Sequence, residues 1–515
     1  LVLDMSAAGA ATFNSTVTGT SFNGIPFYSG DSGSIYTTDV SGTDDTATGN
    51  SAFGVEALDA ITTGDNNTAV GTSALGANTT GEKNTAVGRQ ALRTNTTGSS
   101  NTAVGQGALD VSTTSDQNTA VGRDALGANT TGEQNTAIGS GALIANTTGD
   151  DNIAIGYAAL DANTTASDNI AIGVSSLTAN TTGTRNTAIG HSAYQASDTE
   201  NDNMAIGFHA MTANTAGGIQ NVAVGNYALD ALTSGDQNTA IGFEAMTATN
   251  SGSNNTSVGT ESMIHNTTGA QNTALGVYSL YTNNGGDNTA VGYSAMEANT
   301  TGASNTALGK DSLKANTTAG SNTAIGLQSL FTNTTGANNT ATGAQSLYSN
   351  STGSYNAAVG ESALYTNSTG AQNTAVGRIA LYNNTTADNN TAVGYAALTA
   401  NTTGDRNTAM GRDALLSNTT SDANTAVGYE ALKTVSTTEQ STAIGFQALQ
   451  ANTAANNTAV GSGAMYTNTT GANNVAVGME ALKLNTTGAI NVAVGKSALS
   501  QNTTGTKNVG VGYNA

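Results

Sequence analysis

One short repeat governs this chain: the segment N-T-A-V-G and its variants recur from residue 50 to the C-terminus. Aligned on its glycine, the repeat occurs 28 times, and 24 of the 27 intervals between copies are 17 residues long. The consensus reads N-T-A-V-G-x-x-A-L-x-x-N-T-T-G-x-x, and we number its residues positions 1 to 17. So regular a period indicates one small unit stacked many times rather than a set of globular domains.

The composition of the unit favours a β-solenoid over stacked helices. A repeat of two helices needs roughly 33 residues or more, and Asn, Thr and Gly are poor residues for a helix interior. T-A-V alternates like a short strand, the glycine at position 5 permits a corner, and N-T-T-G is typical of a turn. The sequence therefore predicts an all-β fold, a parallel β-solenoid or β-roll of about 28 coils of 17 residues. The first complete repeats place their corner glycines at Gly71, Gly88, Gly105 and Gly122.

Three columns of the repeat are predicted to face the interior. Position 4 is almost always Val, Ile, Leu or Met, position 2 is mostly Thr or apolar, and position 9 is nearly always Leu or Met. The asparagine at position 1, as at Asn84 and Asn101, is expected to form an amide ladder between coils. The predicted structural core of the first repeats consists of Val70, Leu75, Val87, Leu92, Val104 and Leu109.

The small apolar content of each coil predicts association of several chains. Ordering every residue of a coil opposes folding, and a coil offers about four apolar side chains to offset that cost, two of them alanines. The alanines at positions 3 and 8, as in Ala69 and Ala74, are expected to allow close approach of another chain. We therefore expect chains to pack along their length.

The N-terminal segment differs from the rest. Residues 1–49 lack the repeat but contain β-type alternation and the single proline, Pro26. Because solenoids need atypical terminal units, residues 1–49 are predicted to be a β-rich cap or a junction to another fibre segment. Residues 50–515 are predicted to be the solenoid shaft.

Composition restricts the possible partners. The formal net charge of −21 argues against binding nucleic acid or anionic membrane through charge. No apolar run is long enough to cross a bilayer, so no membrane insertion is expected. The absence of cysteine excludes a disulfide framework and thiolate metal sites, but it is compatible with secretion, because ladders of backbone hydrogen bonds can hold a repetitive fibre.

No pattern typical of catalysis or metal binding is present. The three histidines, His191, His209 and His265, occupy different coils and repeat positions, whereas metal sites and triads need convergent side chains. We expect no enzymatic activity, no catalytic residues, no metal site and no cofactor. Calcium, which prefers oxygen ligands, is the one candidate ion, at the aspartates that follow turn glycines: Asp65, Asp150, Asp236, Asp287 and Asp405.

Aromatic residues form two columns. Position 10 carries Phe331, Tyr348, Tyr365 and Tyr382 in consecutive coils, with further tyrosines at Tyr281 and Tyr466. These four consecutive rings are either a packing ladder or a receptor-binding stripe, since exposed aromatics mark binding surfaces. A second column at position 6 contains Tyr157, Phe208, Phe243, Tyr293, Tyr395, Tyr429 and Phe446.

The repeat resembles that of a known family. N-T-A-V-G-x-x-A-L is similar to the S-V-A-I-G-x-x-A core of trimeric autotransporter adhesin heads, across residues 50–515. The repeat of that family is shorter than the one here, where the N-T-T-G turn lengthens each coil. Separately, the segment from Leu3 to Asn14 resembles the lead-in of repetitive tail-fibre proteins from marine bacterial viruses. Both resemblances imply a homotrimer, intertwined or side by side, with a β-roll fold.

These observations favour a structural role outside the cell. The leading hypothesis is a fibre shaft or adhesin of an extracellular appendage, in particular a phage tail fibre used in host attachment. Its location would be the virion tail or a cell surface, and its partners would be copies of itself and a host surface glycan or protein. The alternatives are an ice- or surface-binding solenoid and a surface-layer or sheath filament.

Overall fold

A computed structural model describes residues 28–29, 35–36, 46–214 and 217–515. The chain divides into two compact units, residues 1–217 and 218–515. Both units are parallel β-solenoids, as the repeat predicts, with one three-residue strand in each coil. Within those described ranges no helix has the length and apolarity required to cross a membrane.

The first unit contains a strand pair and ten coils. Strand β1 pairs antiparallel with β2, which continues in parallel onto β3, and each later strand pairs in parallel with the next. The predicted cap or junction at residues 1–49 falls mostly outside the described residues, and its role stays a prediction. The strands are β1 (Tyr28–Ser29), β2 (Ile35–Tyr36), β3 (Ser51–Phe53), β4 (Thr68–Val70), β5 (Thr85–Val87), β6 (Thr102–Val104), β7 (Thr119–Val121), β8 (Thr136–Ile138), β9 (Ile153–Ile155), β10 (Ile170–Ile172), β11 (Thr187–Ile189) and β12 (Met204–Ile206).

The second unit contains eighteen coils with the same parallel pairing. Equivalent repeat positions face each other, as Thr374 does Thr391, even across the two intervals of 16 residues. The strands are β13 (Val222–Val224), β14 (Thr239–Ile241), β15 (Thr256–Val258), β16 (Thr273–Leu275), β17 (Thr289–Val291), β18 (Thr306–Leu308), β19 (Thr323–Ile325), β20 (Thr340–Thr342), β21 (Ala357–Val359), β22 (Thr374–Val376), β23 (Thr391–Val393), β24 (Thr408–Met410), β25 (Thr425–Val427), β26 (Thr442–Ile444), β27 (Thr458–Val460), β28 (Val475–Val477), β29 (Val492–Val494) and β30 (Val509–Val511).

Hydrogen bonds between coils extend well beyond the strands. The amide of Leu75 donates to the carbonyl of Ala91 at 3.0 Å, and the amide of Thr79 donates to the carbonyl of Thr96 at 2.9 Å. The hydroxyl of Thr79 donates to the same carbonyl at 3.0 Å. Corners and turns therefore satisfy backbone groups from the adjacent coil, which a buried backbone requires. Each coil is completed by its neighbours, as expected of a one-dimensional repeat.

The predicted core is correct at position 9 and wrong at positions 2 and 4. Leu75, Leu92 and Leu109 are fully buried, but Val70 is 39% exposed and Val87 and Val104 are each 36% exposed. The residue of each strand that faces inward is the alanine at position 3. The interior of a coil already holds the leucine at position 9, the alanine at position 8 and two asparagines, so only a small strand residue fits.

This inversion also corrects the role predicted for the alanines. Ala69 and Ala74 have no exposed surface, so they pack inside their own coil and offer nothing to another chain. The outward face of each strand carries positions 2 and 4 instead. The apolar residues at position 4 are therefore the ones that a second chain would meet.

Backbone conformation favours Leu or Met over Val or Ile at position 9. Leu75 and Leu92 have φ values of 49° and 50°, in the left-handed region. β-branched residues are disfavoured there more strongly than unbranched or γ-branched ones. The column therefore selects for side-chain shape as well as for apolarity. In one coil position 9 is Tyr194, with a φ of 54°.

Two buried asparagine ladders line the interior, where one was predicted. At position 1, the backbone amide of Asn101 donates to Oδ1 of Asn84 at 2.9 Å, and Nδ2 of Asn101 donates to the carbonyl of Ser115 at 2.7 Å. The second ladder, at position 12, joins Nδ2 of Asn95 to Oδ1 of Asn78 at 2.8 Å. These amides hydrogen-bond polar groups that would be costly to bury alone.

Candidate functional site

The repeat glycines form the corner that the sequence predicts. Gly71, Gly88, Gly105 and Gly122 have φ values of 135°, 136°, 141° and 141°, a conformation that L side chains rarely adopt. A Cβ atom built on Gly71 would lie 2.5 Å from the carbonyl oxygen of Gly88. These glycines are therefore structural: they let successive coils stack in contact.

The four position-10 aromatics form a continuous stack. Centroids of the rings of Phe331 and Tyr348 are 5.1 Å apart, and both later pairs, up to Tyr382, are 5.0 Å apart. The interplanar angles are only 6°, 6° and 3°, and all four side chains are half-buried. Each inner ring therefore has both faces covered by its neighbours, which leaves ring edges toward solvent. Receptor binding by this ladder remains a prediction.

The position-6 aromatics are more exposed than the ladder. Tyr157 is 62% exposed and Phe446 is 52% exposed. Tyr429 and Phe446 stack with centroids 5.4 Å apart, and the guanidinium of Arg412 lies 5.9 Å from the centroid of Tyr429. These rings are spread along both units, so they form short local groups instead of one stripe.

The aspartates considered for calcium already have a structural role. At position 16, Oδ1 of Asp65, Asp150, Asp236 and Asp405 accepts the backbone amide of the equivalent residue one coil earlier, at distances between 2.7 and 2.9 Å. Asp287 instead occupies position 17, with a φ of 58°. Across the described ranges, no three His, Asp or Glu side chains are grouped to hold a metal ion. Calcium binding at the five aspartates stays an untested prediction.

Two histidines that lie in different coils come together in the first unit. The rings of His191 and His209 are 5.9 Å apart, and the ring of Phe208 lies 5.5 Å from that of His191. Sequence reasoning did not anticipate this contact, because positions 6 and 7 of adjacent coils meet only once the path of the coil is known. The arrangement is a stack of three rings.

The coil that departs most from the consensus contains a buried polar group. The hydroxyl of Tyr194 accepts Nδ2 of Asn203 at 2.5 Å and Nδ2 of Asn214 at 3.0 Å. Burial raises the pKa of the Tyr194 phenol. Oε2 of Glu200 accepts a hydrogen bond from the hydroxyl of Ser197 at 3.1 Å, and Oε1 accepts one from the amide of Gly217 at 3.0 Å. This hydrogen-bonded cluster takes the place of the N-T-T-G turn and fills the interior of its coil.

A cleft in the second unit brings together residues that sequence reasoning separated. Tyr278, Tyr281 and Tyr293 line it with Glu261 and Glu297. Tyr281 and Tyr293 belong to two different aromatic columns of the repeat, and Tyr278 belongs to neither. The only available signal was that three tyrosines fall within 16 residues at positions 7, 10 and 6.

A scan against protein-family models finds no match, and no curated protein matches the sequence.

Proposed function

We propose that this chain is the shaft of an extracellular fibre that assembles as a homotrimer along its outward sheet face. Its most specific form is a phage tail fibre used in host attachment, as the sequence resemblance suggests. The observation that carries the proposal is the uncharged outward face of positions 2 and 4 in each unit. No strand from β3 to β30 has a charged residue at either position.

The size of this face is large for a solvated surface. With strands ~4.8 Å apart and a face about 10 Å wide, the eighteen strands of the second unit present on the order of 900 Å². Roughly half of this area belongs to position 4, which is apolar in all of these strands except β20, and a stable interface buries about 800 Å² per partner. Further copies of the same chain fit best, because they present the same period and pair without leaving a charge buried.

The internal bonding suits a load-bearing role outside the cell. Interior amide ladders and backbone bonds connect neighbouring coils within each unit, so stability does not depend on disulfides. The acidic net charge of −21 keeps other surfaces repulsive and soluble. A shaft of this kind would hold a binding element away from a particle and would add many weak contacts of its own.

The oligomeric state of the purified chain tests the proposal. We expect a mass of three chains by mass photometry. Replacement of Val359, Val376 and Val393 by Lys should give a mass of one chain with an unchanged β-type circular dichroism spectrum, because these residues face outward and a buried interface does not tolerate unpaired charge.

The control adds the same charge on a different face. Glu361→Lys and Tyr395→Lys alternate with the natural Arg378 and Arg412 at position 6, so four cations occupy consecutive coils there. This variant should keep the three-chain mass. A wild-type chain that is monomeric at micromolar concentration would contradict the proposal, and end-to-end polymers would favour a sheath filament.

The receptor in this proposal is a host surface glycan or protein. The aromatic ladder at Phe331, Tyr348, Tyr365 and Tyr382 is one candidate contact. Since its inner ring faces are covered, we expect contacts through ring edges and hydroxyls rather than by stacking of a sugar on a ring.

The same outward face supports ice binding as a second candidate function. Position 2 is Thr in most strands and position 4 is apolar, so hydroxyl and methyl groups repeat at the strand spacing without a charge. Thermal hysteresis of the purified chain distinguishes this candidate from a shaft. A trimer with the face buried would show none.

A further inference from the structure

The tyrosine cleft differs in geometry from the aromatic ladder. It has a volume of about 390 Å³ and lies at the surface of the second unit. The ring centroids of Tyr278 and Tyr281 are 5.8 Å apart at 73°, and those of Tyr278 and Tyr293 are 5.8 Å apart at 80°. Rings that meet at steep angles form the walls of the cleft, where Tyr293 is exposed and Tyr278 and Tyr281 are half-buried.

Carboxylates surround these rings. Glu261 and Glu297 line the cleft, and the charge of Glu261 is the main cause that raises the pKa of the Tyr278 phenol. Lys314 also lines the cleft and offsets part of this charge, because its Nζ is 3.2 Å from both Oε2 of Glu297 and Oδ1 of Asp311. The three carboxylates still outnumber the two lysines, Lys310 and Lys314. The cleft therefore combines aromatic faces with negative potential.

A lysine of the chain already contacts one of these rings. Nζ of Lys310 lies 5.8 Å from the ring centroid of Tyr293, within the distance of a cation–π contact. Tyr293 remains 48% exposed, so it keeps surface for a ligand. The local structure thus shows which sign of charge the ring attracts.

We propose that this cleft is a binding site for a small organic cation, of the quaternary ammonium type. Such a group is weakly hydrated, packs against several aromatic faces at once and gains from nearby carboxylates. A neutral sugar could donate hydrogen bonds to Glu261 and Glu297 but would gain no charge attraction from them, and an anion would be repelled by them. The ligand is therefore a trimethylammonium headgroup such as a choline substituent presented on a surface. The site lies within one chain, so it does not depend on the fibre role or on trimer formation.

Choline and its uncharged carbon analogue, 3,3-dimethylbutan-1-ol, provide a matched pair of probes for the full chain. Isothermal titration calorimetry should show binding of choline that is about tenfold tighter than binding of the neutral alcohol. Raising the NaCl concentration should weaken choline binding, because the carboxylates are partly solvated. Equal affinity for the two probes, or no binding of choline, would overturn the proposal.

The repeat itself supplies substitutions that keep the fold. Tyr278→Ser, Tyr281→Thr and Tyr293→Thr introduce residues that stand at the same repeat positions in other coils: Ser294, Thr399 and Thr260. This triple variant should lose choline binding about tenfold or more while its circular dichroism spectrum is unchanged. Glu261→Gln should weaken binding several-fold.

The aromatic ladder provides the control. Tyr348→Ser, Tyr365→Ser and Tyr382→Ser also remove three tyrosines from the second unit, but they lie outside the cleft. This control should bind choline like the wild type. If it loses binding to the same extent as the cleft variant, the effect is not specific to the cleft and the proposal fails.

Discussion

Gly461→Ala is expected to disrupt its coil, whereas Gly463→Ala, two residues away, should leave the chain almost as stable as before. Gly461 has a φ of 140°, and a Cβ atom there would overlap the carbonyl oxygen of Gly478 in the next coil. Gly463 has a φ of 63°, and its Cβ would meet only Cγ of Glu480 at 3.8 Å. Ala396 occupies the same repeat position as Gly463 with a φ of 55°.

The magnitudes follow from these contacts. Gly461→Ala combines a backbone conformation open almost only to glycine with overpacking against backbone, so we expect a loss of about 4 kcal/mol or more. Gly463→Ala should change stability by about 1 kcal/mol at most. Because coils depend on their neighbours, hydrogen exchange should show lost amide protection centred on the coils beside Gly461. Equal effects of the two substitutions would contradict the stacking of glycine corners.

Asn390→Leu is expected to be similarly damaging, although it places an apolar residue in the interior. Oδ1 of Asn390 accepts the amide of Asn407 at 2.9 Å, and its Nδ2 donates to the carbonyl of Gly404 at 2.9 Å. Leucine would leave the amide of Asn407 buried without its partner, and the carbonyl of Gly404 would keep only Nδ2 of Asn401, at 3.0 Å. At about 1–3 kcal/mol for the unsatisfied amide and about 1 kcal/mol for the second lost bond, the free energy of unfolding should fall by roughly 3 kcal/mol.

A natural substitution in the same ladder gives the control. Ser441 stands at position 1, where its Oγ accepts the amide of Asn457 at 3.5 Å and donates to the carbonyl of Ala454 at 3.4 Å. Asn390→Ser should therefore keep weaker versions of both bonds and lose about half as much stability as the leucine variant. Denaturant unfolding measures both. If leucine proved as stable as asparagine, the ladder would not hold the coils together.

The repeat period predicts the coil and the parallel register, because side chains that recur every 17 residues must stack on themselves. The pattern T-A-V does not reveal which strand face is inside, since Ala69 and Val70 are both apolar. Interior volume decides, and that volume is set by Leu75 and by asparagines from other parts of the coil.

The strand pattern likewise does not show which positions from different parts of a coil come together. Positions 6, 7 and 10 meet on the surface because left-handed residues at positions 7 and 9 fold the chain tightly there, as Ser73 and Leu75 illustrate with φ values of 57° and 49°. The columns of Tyr281 and Tyr293 could be read from the sequence, but their contact through Tyr278 could not. The second asparagine ladder was missed for a related reason: N-T-T-G has the composition of an exposed turn, yet Asn78 and Asn95 point inward.

The direction of the hydrogen bonds between coils has a mechanical consequence. Bonds such as the one from the Thr391 amide to the Asn407 carbonyl, at 2.8 Å, connect one coil to the next along the stack. Tension applied along that direction would load a terminal coil first, as in a zipper, rather than shearing all coils together. Each detached coil would release 17 residues, on the order of 50 Å of extended chain. A unit built this way would yield in small, equal steps and dissipate a pull gradually.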